Sequence, residues 1–451
     1  MIVPAGFENR DVVVFGLARS GIAAAKALIA GGARVHAWDD GAAGRERAVA
    51  AGLDLTDWRG LDLAGMAAVV LAPGVPLTHP QPHELVVAAQ AAGVPVIGDI
   101  ELFVGAIDPS RLIGITGTNG KSTTTALIGH VIKAAGLPVA VGGNIGTAVF
   151  DLPALLMRGA YVVELSSYQL DLTPSWTARV GVLSNITPDH LDRHGDMAHY
   201  AEVKSHIFHR VGTAVCGVDD DYCRAIAARL DGNLVSVSVG GTAQVSVRDG
   251  VLHDGPDVVL DLKLLPALPG AHNWQNAALA YAACRAFGLG RADIVAGLAS
   301  FPGLAHRMER LAEIGGIVFI NDSKATNADA AEKALVCYDD IYWIAGGRAK
   351  VGGIEQLKPH LSRVRRAFLI GEATEDFART IGYAAPVTRC GTLAAAVPAA
   401  FAAARAEGIA GAVVMLSPAC ASFDQFSDFE ARGDAFRHLV QALVDAHGGA
   451  A

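Results

Sequence analysis

Short apolar runs alternate with helix-like segments from the start of the chain. In the N-terminal part, one helix-like segment, Ile22–Ala30, lies among three apolar runs of strand length, which are Val12–Phe15, Arg34–Trp38 and Ala67–Leu71. Strands that alternate with helices predict a parallel sheet covered on both faces. Ligands of such sheets bind at the carboxyl ends of the strands.

The same alternation appears twice more along the chain. A second series begins near Asp99 and contains the strand-like runs Arg111–Ile115, Tyr161–Leu165 and Arg179–Ser184. A third series begins near residue 305, and its predicted strands are Ile317–Ile320, Ile341–Ala345, Ala367–Ile370 and Ala412–Leu416. The pattern therefore predicts an α/β protein of three units, 1–98, 99–304 and 305–451.

Composition narrows the classes of protein to consider. A chain of 451 residues, 52% of them hydrophobic, can form several domains with substantial cores. The net charge is −9 and no block of Lys or Arg occurs, which argues against a nucleic-acid partner. Six scattered cysteines without a C-x-x-C pair indicate reduced thiols and a cytoplasmic protein. Neither a signal peptide nor an apolar run of membrane-spanning length is evident, so we expect no membrane insertion.

The most informative segment is GITGTNGKST, residues 114–123. It joins a predicted strand to a helix-like segment, Thr123–Ala135, through a glycine-rich turn. Glycines let backbone N–H groups converge on an anion, and the helix dipole adds a positive field. Lys121 can reach the outer phosphates of a nucleotide, and the Ser122 hydroxyl can bind Mg²⁺. Ile115 stands where the common G-x-x-x-x-G-K-[ST] loop has glycine, so the segment is a shorter variant.

A second glycine turn, GLARSG at residues 16–21, resembles the G-x-G-x-x-G turn of dinucleotide-binding proteins. Ala18 replaces the middle glycine, and this argues against an ordinary NAD site because a pyrophosphate approaches closely there. Asp39 follows at about the separation from which an acid meets a ribose. The sequence leaves two interpretations open, a nucleotide site or a plain tight turn.

Polar residues follow the predicted strands of the central unit. Glu164 ends a buried run, and an acid at a strand end near a phosphate loop often holds Mg²⁺. A helix cap at Ser166 is the structural alternative. The polar segment Asn185–Asp192, which contains His190, follows another strand, where a metal ligand or a substrate contact would lie.

Local evidence favours plain structural roles for several other polar residues. Five histidines lie close together in the sequence, and they are His190, His194, His199, His206 and His209. Neither cysteines nor an H-E-x-x-H pattern supports zinc, so we expect most of them to be exposed helix and loop residues. His190 is the exception, because its motif follows a strand end. Lys204 falls within a predicted helix, Met197–Phe208, and a lone lysine there is by default a solvated surface residue.

Further polar groups lie where helices begin or strands end. Asn273 and Asn276 share the start of a helix, which suits nucleotide contacts or capping equally well. The segments His306–Glu309 and Asn321–Asn327 carry cations and acids suited to phosphate or carboxylate binding. The segment Leu416–Phe426 follows the last strand and offers the N–H groups of a helix start to a substrate carboxylate.

Together these motifs resemble the Mur ligases of peptidoglycan synthesis over nearly the whole chain. The residues that carry the resemblance are GITGTNGKST (114–123), GGNIG (142–146), ELSSYQL (164–170), DHLDRH (189–194), HNWQN (272–276), HRME (306–309), NDSKATN (321–327) and LSPACASFDQF (416–426). The resemblance implies three domains: an N-terminal Rossmann-like domain that binds a UDP-substrate, a central P-loop ATPase-like parallel sheet that binds ATP, and a C-terminal Rossmann-like domain that binds an amino acid.

The resemblance also implies roles for particular residues. Catalytic roles fall on Lys121, His190, Lys204 and Lys324. ATP contacts are implied for Gly117, Thr118, Asn119, Gly120, Lys121, Ser122, Thr123, Asn276, Arg307 and Asp322. Mg²⁺ is expected at two sites whose ligands come from Ser122, Glu164, His190 and a carbamylated Lys204, because a carbamate supplies anionic oxygen where an ammonium would repel the ion.

Substrate contacts are carried over in the same way. Contacts with the UDP-substrate are implied for Ser20, Asp39, Gly74 and Asn144, and contacts with the amino acid for Lys324, Thr326, Lys350, Ser422 and Phe429. The chain departs from the family at Ala18 and Arg19 in the uridine loop, which leaves the uracil contacts open. Arg348 stands where some relatives carry an acid, which leaves the hydrogen bonding near Lys350 open.

The implied activity is ATP-dependent amide formation, in which D-glutamate is added to UDP-N-acetylmuramoyl-L-alanine through an acyl phosphate. The substrates would be small molecules, and we expect a cytoplasmic monomer. A sister ligase or a folate-type polyglutamate ligase that uses another amino acid is the alternative. A nicotinamide dehydrogenase and a non-catalytic nucleotide switch are rivals from other classes, and a dehydrogenase leaves residues 114–123 without a purpose.

Overall fold

The computed structural model describes residues 1–156, 158–350 and 352–448. Contacts within the chain separate two compact units, one of residues 1–262 and 273–301 and the other of residues 263–272 and 302–451. The first unit contains a four-stranded and a nine-stranded sheet, and the second contains a six-stranded sheet. The prediction of three α/β sheets is therefore confirmed.

The N-terminal sheet is parallel, with strand order β2-β1-β3-β4. Its strands are β1 Asp11–Phe15, β2 Arg34–Trp38, β3 Ala68–Leu71 and β4 Val96–Ile97, and its helices are α1 Arg19–Ala30, α2 Ala42–Ala50 and α3 Glu84–Ala91. Helix α1 starts at Arg19, three residues before the predicted Ile22. Gly21 in its first turn lies so close to Gly16 that a Cβ atom on Gly21 would clash with the Gly16 carbonyl. The chain therefore turns directly from β1 into α1.

The central sheet has the strand order β13-β12-β11-β10-β9-β8-β5-β7-β6. Its strands are β5 Leu112–Thr116, β6 Val139–Gly143, β7 Ala160–Glu164, β8 Ala178–Leu183, β9 Val211–Gly217, β10 Leu234–Val239, β11 Val245–Arg248, β12 Val251–Asp254 and β13 Asp257–Asp261. The helices are α4 Asp99–Ala106, α5 Lys121–Ala134, α6 Ser167–Asp171, α7 Leu191–His194, α8 Met197–Ser205, α9 Asp221–Ala227, α10 Ala271–Phe287 and α11 Arg291–Ala299. Strands β5 to β11 are all parallel to their neighbours among these seven strands, whereas β12 and β13 form an antiparallel edge.

Strand β5 lies between β7 and β8, and every one of its residues is buried. Gly114 is required there because a Cβ atom would clash with the ring of Trp176. The helix after the loop starts at Lys121, two residues earlier than predicted. This arrangement puts the glycine-rich loop at the carboxyl edge of the sheet, between two other strand ends.

One hydrophobic core joins the N-terminal and central sheets into a single unit. Phe103 of α4 packs edge-on against Phe150 (6.1 Å between ring centroids) and Tyr161 of β7 (5.6 Å). The same cluster continues to Leu28 of α1 and Val14 of β1. The predicted boundary at residue 98 stays a prediction, because apolar packing is continuous across it.

The sheet of the second unit has the order β14-β15-β19-β16-β17-β18 and is parallel except for the pair β14 and β15. Its strands are β14 Glu309–Ile314, β15 Ile317–Asn321, β16 Ile341–Gly346, β17 Val364–Ile370, β18 Val387–Gly391 and β19 Val413–Leu416. Its helices are α12 Ala328–Leu335, α13 Thr374–Ile381, α14 Leu393–Glu407 and α15 Phe429–His447. Separate hydrophobic cores cover its two faces, as the buried apolar strands predict.

No helix in the described part of the chain combines the length and apolar character needed to cross a membrane. All six cysteines are free thiols.

Candidate active site

The glycine-rich loop connects β5, the third strand from one end of the nine-stranded sheet, to α5. Gly117 has φ +149° and Gly120 has φ +81°, conformations that residues with a side chain rarely adopt. A Cβ atom on Gly117 would clash with the Ser184 hydroxyl, and one on Gly120 would clash with the Asn276 amide. Helix α5 also starts without a side-chain cap. The loop therefore presents a helix N-terminus that suits an anion.

Residues after β8 hold the loop in place. The Thr118 N–H donates to the Asn185 carbonyl at 2.8 Å, and the Asn119 N–H donates to the Asn185 side-chain oxygen at 2.9 Å. The Ser184 hydroxyl donates to the Asn119 carbonyl at 2.7 Å. Because these bonds fix the loop in advance, a nucleotide would bind with a smaller cost of ordering.

The Lys121 ammonium folds back over the loop. Its Nζ donates to the carbonyls of Gly117 at 3.0 Å and Thr118 at 2.9 Å. Lys121, Ser122 and Thr123 are half-buried in the first turn of α5. Positive charge and hydroxyl groups thus lie beside the loop, where the outer phosphates of a nucleotide bind in proteins of this kind.

Glu164 ends β7 and is 2% exposed. Its Oε1 accepts a hydrogen bond from Asn144 Nδ2 at 2.7 Å, whereas Oε2 is buried without a hydrogen-bond partner among the described residues. Residue Ile115 of β5 pairs with Glu164 across the sheet, so this carboxylate lies at the strand end next to the loop. A buried, unsatisfied carboxylate oxygen near a phosphate loop fits a hard cation such as Mg²⁺. The alternative cap is also present, because Ser166 caps α6 with its own side chain.

Lys204 is buried, so the expectation of a solvated surface lysine was wrong. The residue is 1% exposed, and its Nζ donates to the Gly117 carbonyl at 2.7 Å and lies 4.9 Å from the Tyr200 ring centroid. Residues Tyr200 and Lys204 are four apart in α8 and face the loop together. Burial, followed by the charge of Lys121, lowers the pKa of Lys204 well below its usual value. The uncharged amine is the form that reacts with carbon dioxide.

His190 precedes α7 in a left-handed backbone conformation, with φ +52°. Its Nδ1 lies 3.0 Å from the Tyr168 hydroxyl, and its Nε2 lies 3.5 Å from Asp189 Oδ2. The ring is exposed and stacks at an angle against Tyr168, with 5.1 Å between centroids. Two polar neighbours therefore orient an accessible imidazole.

Asn276 and Asn144 bring two distant segments to this group. Asn276 Oδ1 accepts from the Thr124 hydroxyl at 3.3 Å, and its Nδ2 donates to Asn273 Oδ1 at 3.2 Å. Asn144 follows β6, and its N–H donates to the Glu164 carbonyl at 2.9 Å. Asn276 thus contacts the helix that follows the phosphate loop, and Asn144 contacts the predicted metal ligand Glu164.

Of the remaining four histidines, only His209 has the predicted exposure. His194 is buried, His199 and His206 are half-buried, and His209 is exposed. The prediction was wrong for His194 because the short helix α7 turns this ring inward, where Nε2 bonds to the Ser167 hydroxyl at 2.9 Å.

The predicted residues of the N-terminal sheet lie along its carboxyl edge. Asp39 accepts backbone N–H groups with both oxygens, from Leu17 at 2.6 Å and from Gly41 at 2.7 Å. Ser20 is half-buried in the first turn of α1, and Gly74 is exposed after β3. Asp39 therefore fastens the glycine turn to the end of β2, and its contact with a ribose stays a prediction.

In the second unit, Asp322 follows β15 and is 6% exposed. Its Oδ1 accepts from the Met308 N–H at 3.2 Å, and its Oδ2 accepts from the Ser417 hydroxyl at 2.8 Å. Burial raises the pKa of Asp322 to about 7, although these hydrogen bonds and the charge of Arg307 oppose the shift. Arg307 itself is half-buried.

Lys324 lies against an aromatic ring in the same unit. Its Nζ is 3.7 Å from the Phe429 ring centroid, within the range of a cation–π contact. Its N–H donates to the His306 carbonyl at 3.0 Å, and its own carbonyl accepts from the Thr326 N–H at 2.8 Å. Ser422 is buried at the loop that leads to α15. Most of the predicted amino-acid residues thus come from the ends of β15 and β19.

Lys350 is exposed after β16, and the neighbouring Arg348 has a partner of its own. Arg348 forms a two-pronged ion pair with Glu372, with both N–O distances 3.1 Å. The guanidinium of Arg348 thus pairs with an acid on the loop before α13.

Sequence patterns missed two residues that the structure places at these edges. Tyr200 lies 3.1 Å from the Thr118 hydroxyl, and only its spacing of four from Lys204 could have indicated this. Arg432 is 1% exposed and donates to Ser323 Oγ at 3.0 Å and to the Cys420 carbonyl at 3.0 Å. Its Nη1 is buried without a partner among the described residues. Nothing local distinguishes Arg432 from a surface arginine of a helix.

Comparison with known proteins agrees with this geometry. Residues 115–284 match the family described as Mur ligase middle domain, and residues 306–420 match the one described as Mur ligase, glutamate ligase domain. The chain belongs to the Mur ligase family, because these two models match more than half of it and curated relatives share more than half of its residues.

The relatives within this family carry one name. The chain is 54% identical to the UDP-N-acetylmuramoylalanine--D-glutamate ligase of Paramagnetospirillum magneticum, over 98% of each chain. It is 51% identical to the enzyme of that name from Phenylobacterium zucineum, over 100% of each chain.

Solved structures support the fold. The UDP-N-acetylmuramate-alanine ligase of Thermotoga maritima superposes with a TM-score of 0.58 at 17% identity, over 96% of this chain and 100% of that one. A pseudomurein peptide ligase of Methanothermus fervidus gives a TM-score of 0.56 at 19% identity, with the same coverage. At these identities the likeness concerns the fold alone.

Proposed function

We propose that the chain is an ATP-dependent ligase that adds D-glutamate to UDP-N-acetylmuramoyl-L-alanine in the synthesis of peptidoglycan precursors. The observation that carries the chemistry is the phosphate loop with a buried, unsatisfied carboxylate oxygen of Glu164 at the adjacent strand end. The substrates follow from the full-length similarity to ligases named for them. A carboxylate is a poor electrophile, so ATP first converts the carboxyl group of the muramoyl substrate to an acyl phosphate.

The residues around the loop suit phosphoryl transfer. Lys121 and the first turn of α5 would bind the outer phosphates of ATP and neutralise the transferred group, and Arg307 is proposed as a further ATP contact. Ser122 would hold the Mg²⁺ that accompanies the ATP phosphates, and Glu164, His190 and a carbamylated Lys204 would hold a second Mg²⁺. When bound, Mg²⁺ neutralises charge on the phosphate oxygens. Asn185 holds the loop through two hydrogen bonds.

Lys204 is proposed to act as a carbamate. Its neutral amine attacks carbon dioxide, forms an N–C bond and releases one proton, which leaves an anionic group. The burial of Lys204 beside the Gly117 carbonyl supports this proposal, because it disfavours the ammonium form. The carbamate would replace a positive charge beside the loop with oxygen atoms that a hard cation prefers.

The amino-acid substrate is proposed to bind at the sheet edge of the second unit. Lys324, Thr326, Ser422 and Phe429 are the proposed contacts, with Lys350. The buried, unsatisfied Nη1 of Arg432 supports an anion at this edge, because a guanidinium donor pairs with a carboxylate. The glutamate amine must lose a proton to attack the acyl phosphate, and the exposed imidazole of His190 is the proposed assistant.

Phosphate release measured with UDP-N-acetylmuramoyl-L-alanine and ATP tests this proposal. We expect release to depend on D-glutamate and to stay near background with L-glutamate, L-alanine or diaminopimelate. Dependence on another amino acid would favour a sister ligase, and slow hydrolysis unaffected by any amino acid would favour a nucleotide switch. Binding of NAD(H) would favour the alternative that the protein is a nicotinamide dehydrogenase. We further propose that the enzyme works in the cytoplasm. We also propose that it is a monomer, and sedimentation of the purified protein can test its oligomeric state.

A further inference from the structure

A group of metal-ligating side chains lies in the first unit apart from the proposed Mg²⁺ ligands. Asp171, His194 and His199 each place one donor atom within 4.8 Å of the donors of the other two. We call these three residues the histidine–aspartate cluster. Asp171 ends α6, His194 ends α7, and His199 lies in the first turn of α8. Three consecutive helices thus converge on one point.

The cluster contains buried atoms that lack partners. His194 is 1% exposed, and its Nδ1 has no hydrogen-bond partner among the described residues. Its Nε2 lies 2.9 Å from the Ser167 hydroxyl. With Nε2–H donating to that hydroxyl, Nδ1 carries a lone pair available to a ligand. This arrangement, in which one ring nitrogen is anchored and the other is available, is typical of histidines that bind metals.

Asp171 adds an unsatisfied acceptor. Its Oδ2 is buried without a partner in the described part of the chain. Each buried acceptor left unpaired costs about 1–3 kcal/mol. A cation bound by these three residues would give the Asp171 carboxylate an ionic partner.

Arg193 is the competing positive charge. Its Nη2 donates to the Val75 carbonyl at 3.2 Å, and its guanidinium lies 5.3 Å from the Tyr168 ring centroid. Among the described residues, it forms no ion pair with Asp171. Its Nε and Nη1 are buried without a hydrogen-bond partner among the described residues. Arg193 therefore weakens the binding of a cation at the cluster.

We propose that Asp171, His194 and His199 bind a divalent transition-metal ion, and that Zn²⁺ is the ion they suit best. Two imidazoles and one carboxylate are ligands that zinc prefers, whereas Mg²⁺ prefers oxygen alone. Donors around tetrahedral zinc lie about 3.3 Å apart, so the side chains need to approach by no more than about 1.5 Å. Asp171 and His199 are half-buried, so an ion and a fourth ligand from water can reach the site from solvent.

A bound ion would also act on the segment that carries the proposed catalytic residues. Helix α7 directly follows His190, and α8 contains Lys204. An ion that ties α6, α7 and α8 together would restrain both residues. We therefore expect zinc to raise the temperature of unfolding of the protein, since a ligand that binds the folded state stabilises it.

Cobalt(II) is the probe for the experiment, because four-coordinate Co²⁺ absorbs visible light much more strongly than the six-coordinate aqueous ion. The full-length protein is titrated with Co²⁺ without ATP and with excess Mg²⁺, which fills sites made of oxygen ligands. We expect one equivalent to produce visible bands that Zn²⁺ abolishes. His199→Gln and Asp171→Asn should each weaken Zn²⁺ binding at least about tenfold. Both residues are half-buried, and circular dichroism checks that the variants fold.

Two control variants separate this site from others. His209→Gln changes an exposed ring 4.7 Å from His206 and should keep the Co²⁺ bands. His190→Ala removes the proposed magnesium ligand and should keep them too. The proposal is overturned if the wild type gives no bands, if His199→Gln keeps them, or if His190→Ala loses them.

Discussion

The two sheet edges proposed to bind ATP and the amino acid leave opposite kinds of buried atom unsatisfied. At the end of β7, Glu164 keeps a carboxylate oxygen, an acceptor, without a partner among the described residues. In the second unit, the Nη1 of Arg432 is a buried donor that also has no hydrogen-bond partner among the described residues. An orphan acceptor calls for a cation, and an orphan donor calls for an anion. The two sheet edges, although each belongs to a largely parallel sheet, therefore suit ligands of opposite charge.

The comparison extends to the ionisable groups beside each orphan atom. Lys204 at the first edge and Asp322 at the second are both nearly fully buried, and burial shifts the pKa of each toward its neutral form. Asp322, however, has a hydrogen bond on each oxygen, whereas Lys204 bonds to the loop that a nucleotide would occupy. The two buried groups thus differ in their partners, because Asp322 is bonded within its own sheet edge and Lys204 is bonded to the phosphate loop.

The largest effect is expected at the loop. Lys121→Ala should lower the rate of D-glutamate-dependent phosphate release by about 10³- to 10⁵-fold, because a cation on the transferred group is worth that much in phosphoryl transfer. Lys358→Ala, at an exposed lysine paired with Glu355, is the control and should behave as the wild type. Near-normal ligation by the Lys121 variant would refute the assignment of this loop.

A stability measurement addresses the second edge. The pKa of Asp322 is about 7 in the folded protein and about 3.9 when unfolded, so the folded state binds the proton more tightly. Its stability therefore falls as pH rises from about 4 to 7, by up to about 4 kcal/mol. Asp322→Asn should remove this part of the pH dependence and unfold at a higher temperature than the wild type at pH 8. Thermal unfolding at pH 5 and pH 8 measures it, and identical pH dependence in both proteins would contradict the shift.

Glu164→Gln tests the orphan acceptor. The amide keeps an oxygen that can accept from Asn144 but loses the charge that attracts Mg²⁺. We expect the turnover rate to fall about 100-fold, which corresponds to about 2.7 kcal/mol, and half-saturation by Mg²⁺ to move to higher concentration. A variant with an unchanged Mg²⁺ titration would show that Oε2 does not meet the ion.

Arg432→Lys tests the orphan donor in the same way. Lysine keeps the charge but lacks the fork that reaches Ser323, the Cys420 carbonyl and a substrate together. The KM for D-glutamate should rise about tenfold, or about 1.4 kcal/mol, while the KM for ATP stays near its wild-type value. Equal changes in both constants would indicate a general loss of structure, and no change in either would remove Arg432 from the substrate site.

The smallest effect is expected at Arg348. Its side chain and that of Glu372 are 55% and 57% exposed, and exposed ion pairs contribute little because solvent screens them. A double-mutant cycle with Arg348→Ala and Glu372→Ala should therefore give a coupling energy within the error of thermal or urea unfolding. A larger coupling would mean that this pair holds the loop beside Lys350 in place.

The sequence predicted the sheets well where strands are fully buried. Strands β5, β7 and β16 are continuous apolar runs whose residues are all buried, and such runs are visible without any structure. The strands β10 to β13 were missed because they lie toward one edge and are partly exposed. Asp257–Asp261, for example, begins and ends with an acid and has no buried residue.

The site could be predicted as far as motifs extend along the chain. The phosphate loop and Glu164 follow strands directly, so their place was evident. The burial of Lys204 and His194 was not, because it depends on how short helices pack and no apolar periodicity marks it. Asp171, His194 and His199 have no metal-binding spacing, since each lies in a different helix. Long-range convergence of this kind appears only in the folded chain.

The most direct test of the proposed function is to detect the product itself. The protein is incubated with UDP-N-acetylmuramoyl-L-alanine, ATP, Mg²⁺ and either D- or L-glutamate, and the nucleotide product is analysed by mass spectrometry. We predict that D-glutamate alone adds the mass of one glutamate less one water, and that Lys121→Ala gives no such product. Unmodified substrate after incubation of the wild type with D-glutamate, or equal modification by L-glutamate, would contradict the account.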